Sequence, residues 1–198
     1  ASPTAGVYQF SATAALAQAA LRQLAFAPAE NRVNPPLTET TTFTISVHDG
    51  VAAAVSDSTT TVITTSVNDA PTLGGAQSNQ PVTDKSTVAP FPAFIVADID
   101  AEQSQTLTVS LDVAAKGAFS STSVTASGFS TGLSAGTYQF NGTASQAQAA
   151  LRQLIFQPAD NRVPTGTTET TTFTVSIADA SGASASNGDT SVSSLAIN

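Results

Sequence analysis

Asp98, Asp100 and Glu102 stand at alternate positions of one short acidic stretch, Ala97-Asp98-Ile99-Asp100-Ala101-Glu102. In an extended chain residues i and i+2 point to one side, so this spacing aims two carboxylates, with Glu102 as a third, at one ion. Calcium takes about six to eight oxygens from carboxylates, Asn carbonyls and the backbone. Asn68 and Asp69 offer oxygens of the same kinds, and Asp179 precedes a strand that could end beside them. The plainer account of these residues is turn geometry, because Asn and Asp side chains bond the nearby backbone in turns.

Other reactive groups are few. The chain has no Cys, which removes thiolate nucleophiles, thiolate metal sites and disulfides. His48 is the single histidine. Lys85 and Lys116 could form Lys–Asn isopeptide crosslinks, but solvated lysines are the simpler reading. Asn141-Gly142-Thr143 is a glycosylation sequon whose Thr is better placed as a helix cap. No acid/base pair lies in an evident pocket, so the chain is not expected to be an enzyme.

The elements that position these residues are set by a repeat. Residues 1–68 and 131–198 align without a gap at an offset of 130, and 35 of the 68 positions are identical. Tyr8-Gln9-Phe10 returns as Tyr138-Gln139-Phe140, and Ala19-Ala20-Leu21-Arg22-Gln23-Leu24 returns from Ala149 to Leu154. Thr38-Glu39-Thr40-Thr41-Thr42-Phe43-Thr44 returns whole at 168–174. A fixed period means tandem modules. Residues 69–198 are thus one complete repeat, and 1–68 are the C-terminal half of another. His48 has Ala178 as its counterpart, which argues against a catalytic or zinc role. Chemistry is rarely needed twice in a row, whereas a spacer gains from every copy.

The net charge is −8, with two Lys and four Arg as the only fixed cations. Nucleic acid is therefore not an expected partner, since phosphate neutralisation needs clustered Lys and Arg. No apolar run reaches the ~18 residues that a spanning helix requires. Thr with Val, Ile and Phe favours strands. In the complete repeat, strands are expected at 91–96, at 107–111 where Leu107, Val109 and Leu111 alternate with polar residues, at 124–129 and at 137–140. Another follows Phe173, Val175 and Ile177, and a last one runs through Val192, Leu195 and Ile197. Between them, Thr143 and Gln146 form a capping box, and Ala147, Ala150, Leu151 and Leu154 make one apolar helical stripe. The half repeat keeps the stripe as Ala17, Ala20, Leu21 and Leu24 but has Leu16 in place of the box glutamine. About seven short strands with turns between them predict an all-β sandwich carrying one short inserted helix per repeat.

Three motifs in order resemble cadherin-like repeats of large bacterial surface proteins, of the kind grouped as VCBS-type. Ser66-Val67-Asn68-Asp69-Ala70-Pro71 is similar to the D-x-N-D-N-A-P joint shortened by one residue. Ala97 to Glu102 resembles the D-x-D element, and Ser176-Ile177-Ala178-Asp179-Ala180-Ser181-Gly182 the V-x-A-x-D-x-G element. Ser66 stands where the joint's first aspartate would be. Glu30-Asn31-Arg32 is the nearest substitute for the family's L-D-R-E element. The resemblance implies a cadherin/Ig-like sandwich and a calcium ion locking the joint between repeats, with Asn68, Asp69, Asp98, Asp100, Glu102, Asp179 and Glu30 as ligand candidates. It also implies a stalk or extender of an extracellular adhesin or fibre on a bacterial cell surface. The alternative is a glycan- or protein-binding module that uses the Thr-rich strand face (Thr40, Thr42, Thr44 and Thr170, Thr172, Thr174) or the loop 132–136. The absence of Trp, and two Tyr expected in the core, speak against glycan stacking. Expected partners are neighbouring repeats of the same chain or of other copies, including fibre assembly by exchanged strands. Phe10, Leu21, Leu24, Phe26, Phe43, Ile45 and Val47 would otherwise face nothing.

Overall fold

The computed structural model describes residues 6–100 and 102–198. The chain divides into two compact units, Ala1–Glu30 and Asn31–Asn198, so the half repeat is shared between them. The first unit contains one helix, α1 (Ala14–Leu21). Its N-cap Thr13 makes no side-chain cap bond, and none of its residues is buried. Leu16 cannot supply the acceptor that a box glutamine would.

The second unit opens with β1 (Thr38–Val47) and β2 (Val55–Thr65), an antiparallel hairpin that forms its own two-stranded sheet. The complete repeat then runs β3 (Thr72–Gly74), β4 (Gln80–Thr83), β5 (Ile95–Ala97), β6 (Gln105–Leu111), a 3₁₀ turn, β7 (Gly117–Phe119), α2 (Ser121–Ser127), β8 (Ser130–Thr131), β9 (Thr137–Gly142), α3 (Ala144–Leu151), β10 (Phe156–Pro158), β11 (Thr168–Asp179) and β12 (Ser184–Leu195). Six of these strands form one sheet in the order β4-β12-β11-β6-β9-β8, with β4 parallel to β12 and the other neighbours antiparallel. The small sheets β3–β5 and β7–β10, with the two helices, supply the other side of the core. The chain is mostly β and sandwich-like, as its alternating patterns predict.

Strand periodicity sets the core directly. β6 buries Leu107, Val109 and Leu111, and β11 buries Phe173, Val175 and Ile177, each at every second residue. Rings bridge the layers: Phe156 meets Phe173 edge-on at 5.0 Å and Phe119 meets Tyr138 at 4.9 Å, a favoured aromatic geometry. The capping box of α3 is present on both sides, Gln146 N donating to Thr143 Oγ1 (3.4 Å) and Thr143 N to Gln146 Oε1 (2.9 Å). Ala147, Ala150 and Leu151 are buried on the helix. Leu154 is also fully buried, but from the turn just beyond the helix end.

Three strand expectations are revised. Residues 124–129 are largely helical: α2 is closed by Ser120, whose side chain accepts from Ser123 N, and by left-handed Gly128. These two caps outweigh the strand preference of Val124 and Thr125. In 91–96 only Ile95 and Val96 are in a strand, because Phe94 N turns back to Phe91 O, yet Phe91 and Phe94 are buried in the core. The last strand begins much earlier than expected, at Ser184, and ends before Ile197.

Candidate functional site

The linker at Asn68 and Asp69 is held by loops at one end of the complete repeat. Asn68 Nδ2 donates to Asp179 Oδ2 (2.9 Å), and Asp69 N donates to Asp100 Oδ2 (2.8 Å). Asp98 Oδ1 accepts from Asp100 N (3.0 Å), folding the acidic stretch on itself. Asp179 Oδ1 accepts from Ser181 N and Ala183 N at the turn between β11 and β12. Two glutamines join these pieces. Gln103 Nε2 donates to Asn68 Oδ1 (2.6 Å) and Ser181 Oγ (3.2 Å), and Gln105 Nε2 donates to Asp98 Oδ2 (2.5 Å).

Asp100, Gln103, Gln105 and Asp179 are all buried, with Asp100 only 5% exposed. Asp100 Oδ1 and Gln105 Oε1 have no hydrogen-bond partner although both atoms are buried. A buried carboxylate oxygen without a partner carries a full desolvation cost. The carboxylate oxygen of Asp100 and the amide oxygen of Gln105 thus mark a place in the network that lacks a donor or a cation. None of the ion pairs among the described residues supplies it: they join Arg32 to Glu39, Lys85 to Asp160, Lys116 to Asp112 and Arg162 to Glu169.

The network therefore gathers Asn68, Asp69, Asp98, Asp100 and Asp179 from segments up to 111 residues apart in sequence. Glu102 is exposed, with a left-handed backbone (φ 50°), and is not a bonded member. Ala101 lies outside the described residues. Glu30 is exposed and belongs to the first unit, whereas the network lies in the second. Gln103, Gln105 and Ser181 are the members that sequence reasoning missed. Gln105 had a signal: it occupies the inward register of Leu107, Val109 and Leu111, where a polar side chain needs a polar partner.

All donor atoms are hard oxygens, with neither thiolate nor imidazole, a set that suits calcium rather than zinc. Among the described residues, no three His, Cys, Asp or Glu side chains are arranged to hold a metal by themselves. Here amide N–H groups of Asn68 and Gln105 lie on carboxylate oxygens that an ion would use, and the orphaned oxygens of Asp100 and Gln105 remain beside them.

In the half repeat the matching Asp49 also caps its turn, but differently: its Oδ1 accepts from Val51 N (2.9 Å) and Ala52 N (2.8 Å), bonds that hold this carboxyl below its usual range. His48 Nδ1 accepts from Gly50 N in that turn, a structural role. Lys85 and Lys116 are each paired with an aspartate, not an asparagine. Tyr138 is buried as expected, but its counterpart Tyr8 is 83% exposed.

A second buried carboxylate faces the segment that leaves the repeat. Asp84 Oδ1 accepts from Ile197 N (3.0 Å) and Oδ2 from Asn161 N (3.3 Å). The bond from Ile197 is the main reason its carboxyl lies below the usual range, with Asn161 and the charge of Lys85 adding to it against burial. By the 130-residue offset, Ile197 and Asn198 are the counterparts of Val67 and Asn68. Asp84 thus binds the backbone of Ile197, as Asp100 binds that of Asp69.

The chain matches no protein-family model and no curated protein. No helix among the described residues is long and apolar enough to cross a membrane.

Proposed function

We propose that residues 69–198 are one extender module of an extracellular bacterial surface protein, a cadherin-like repeat whose joint with the preceding repeat is rigidified by calcium. The observation that carries this reading is the buried network that ties the linker at Asn68 and Asp69 to Asp98, Asp100 and Asp179, with two oxygens left unpartnered. Asp98, Asp100, Asp179 and Asp69 would hold the ion, with amide oxygens of Asn68 and Gln105. The ion supplies a charge that satisfies several oxygens at once and removes hinge freedom from a short linker. Asp179 and Gln103 orient Asn68, and Asp100 orients the backbone of Asp69. The repeated, weakly charged and Thr-rich surface suits a stalk.

Calorimetry and small-angle scattering test the reading together. Calcium added to the metal-free chain is expected to release or absorb binding heat, and EDTA to change the maximum dimension without unfolding the complete repeat. Absence of calcium heat together with superimposable scattering profiles would reject it.

A further inference from the structure

Asn-Gly occurs twice in the chain, at Asn141-Gly142 and at Asn187-Gly188, and the fold treats the two differently. In this dipeptide a backbone nitrogen attacks a side-chain amide most readily, because glycine puts no Cβ in the way. Asn141 lies in β9, where it pairs with Thr106 and Gly142 pairs with Gln105. Its Oδ1 accepts from Thr106 Oγ1 (2.8 Å), which holds the side chain across to the next strand and off its own backbone. Asn187 lies where β12 bulges: Val175 pairs with Asn187 and Phe173 with Thr190, leaving Gly188 and Asp189 against Thr174. β4 runs beside β12 only from Val192 to Leu195, so among the described residues this stretch has a neighbouring strand on one side alone. Asp189 N donates to Asn187 Oδ1 (3.1 Å), and Asn187 Nδ2 donates to Asp189 Oδ2 (3.2 Å). The Asn187 side chain is therefore folded over the peptide bond to Gly188, as in an Asx turn.

We propose that Asn187-Gly188-Asp189 is a self-modifying deamidation site, which converts Asn187 to aspartate and isoaspartate without an enzyme. Gly188 N gives up its proton, and its electron pair forms a bond to Asn187 Cγ. Negative charge then develops on Oδ1, where the Asp189 N–H already stands, as a donor does in an oxyanion hole. The bond from Cγ to Nδ2 breaks, and the nitrogen leaves as ammonia, with the Asp189 carboxylate relaying the proton. Water opens the resulting cyclic imide at either carbonyl. One opening leaves a normal backbone with an aspartate, and the other routes the chain through the side-chain carbon as isoaspartate. Water is consumed and ammonia released in equal number. The half repeat carries the product in its sequence. Asp57 is the counterpart of Asn187, at the same bulge, and its Oδ1 accepts from Thr59 N (2.9 Å) as that of Asn187 accepts from Asp189 N. The bulge thus accommodates a carboxylate at this position, and deamidation brings the second copy to the charge of the first. The inference is independent of the calcium reading.

The test holds the 198-residue chain in warm neutral buffer and follows both Asn-Gly peptides by mass spectrometry and reversed-phase chromatography. The peptide containing Asn187 is expected to gain about 1 Da, as an amide becomes an acid, and to split into aspartate and isoaspartate forms. It should react at least ~fivefold faster than the peptide containing Asn141 in the folded chain, and at nearly the same rate in urea, where orientation is lost. Asp189→Ala keeps the backbone donor but removes the carboxylate, so it should slow the reaction at Asn187 several-fold and leave Asn141 unchanged. Gly188→Ala has room, since a Cβ there meets only Thr174 Oγ1 at 3.8 Å. It should suppress the reaction in a chain that melts as the parent does. Equal rates at Asn187 and Asn141 in the folded chain would overturn the proposal, as would a rate at Asn187 that survives both substitutions. A preference for Asn187 that persists in urea would overturn it too, by assigning the effect to sequence and not to the bulge.

Discussion

Asp100 and Gln105 are the residues at which the calcium reading is most exposed to test. Asp100→Asn keeps the shape but removes charge from a buried site, so without calcium the melting temperature should stay the same or rise. With calcium, the stabilisation seen in the parent chain should be largely lost, and a full calcium-dependent rise in the variant would remove Asp100 from the site. Asp84 predicts a pH dependence. Its folded carboxyl lies below the ordinary value, so its contribution is complete above the unfolded value of about 3.9 and is lost as pH falls through the lower folded value. Asp84→Asn should flatten the acid limb of a melting-temperature profile while leaving the profile near neutrality parallel to that of the parent. Equal acid limbs would show that the bonds to Ile197 and Asn161 carry no linkage. Carboxylates at i and i+2 were legible in the sequence because their spacing converts directly into geometry. Gln103 and Gln105 were not, because an amide in a Ser- and Thr-rich strand looks like any solvated residue until its register is known. Glu30 and Glu102 entered through motif likeness or spacing alone, and neither is a bonded member of the network.

The paired elements form an internal control, since near-identical sequences occupy different surroundings. Leu151→Ala should cost about 2–5 kcal/mol, as truncation of a buried Leu does. Leu21→Ala, at the same position of α1 but 44% exposed, should stay within about 0.5 kcal/mol. Similar losses in urea unfolding would mean that α1 packs as α3 does. Arg152 is less inert than its neighbours on the exposed face, because its Nε donates to Phe94 O (2.9 Å) and ties α3 to the segment before β5. Helix α3 was readable from its capping box and stripe, both local signals. Helix α2 was not, because Val124 and Thr125 prefer strands and its start depends on one serine cap. The short strands β3, β4, β5 and β10 exist only because neighbours complete them, and no local pattern announces that.

Across the whole molecule, stability should follow completeness of the repeat and not sequence. The segment Thr-Glu-Thr-Thr-Thr-Phe-Thr occurs in both β1 and β11, so intrinsic exchange rates nearly cancel between the copies. An isolated two-stranded hairpin is marginal in water, and amides of 40–44 should exchange at least ~100-fold faster than those of 170–174. Comparable protection in a proven monomer would show that half a repeat folds unaided. The parallel pairing of β4 with β12 has a mechanical consequence. Gln80 to Thr83 run beside Val192 to Leu195 in the same direction, one near the start of the repeat and the other at its end. Tension applied through residues 69 and 198 pulls these neighbours oppositely along their length. Their hydrogen bonds are then loaded together, in shear, instead of opening one after another like a zip.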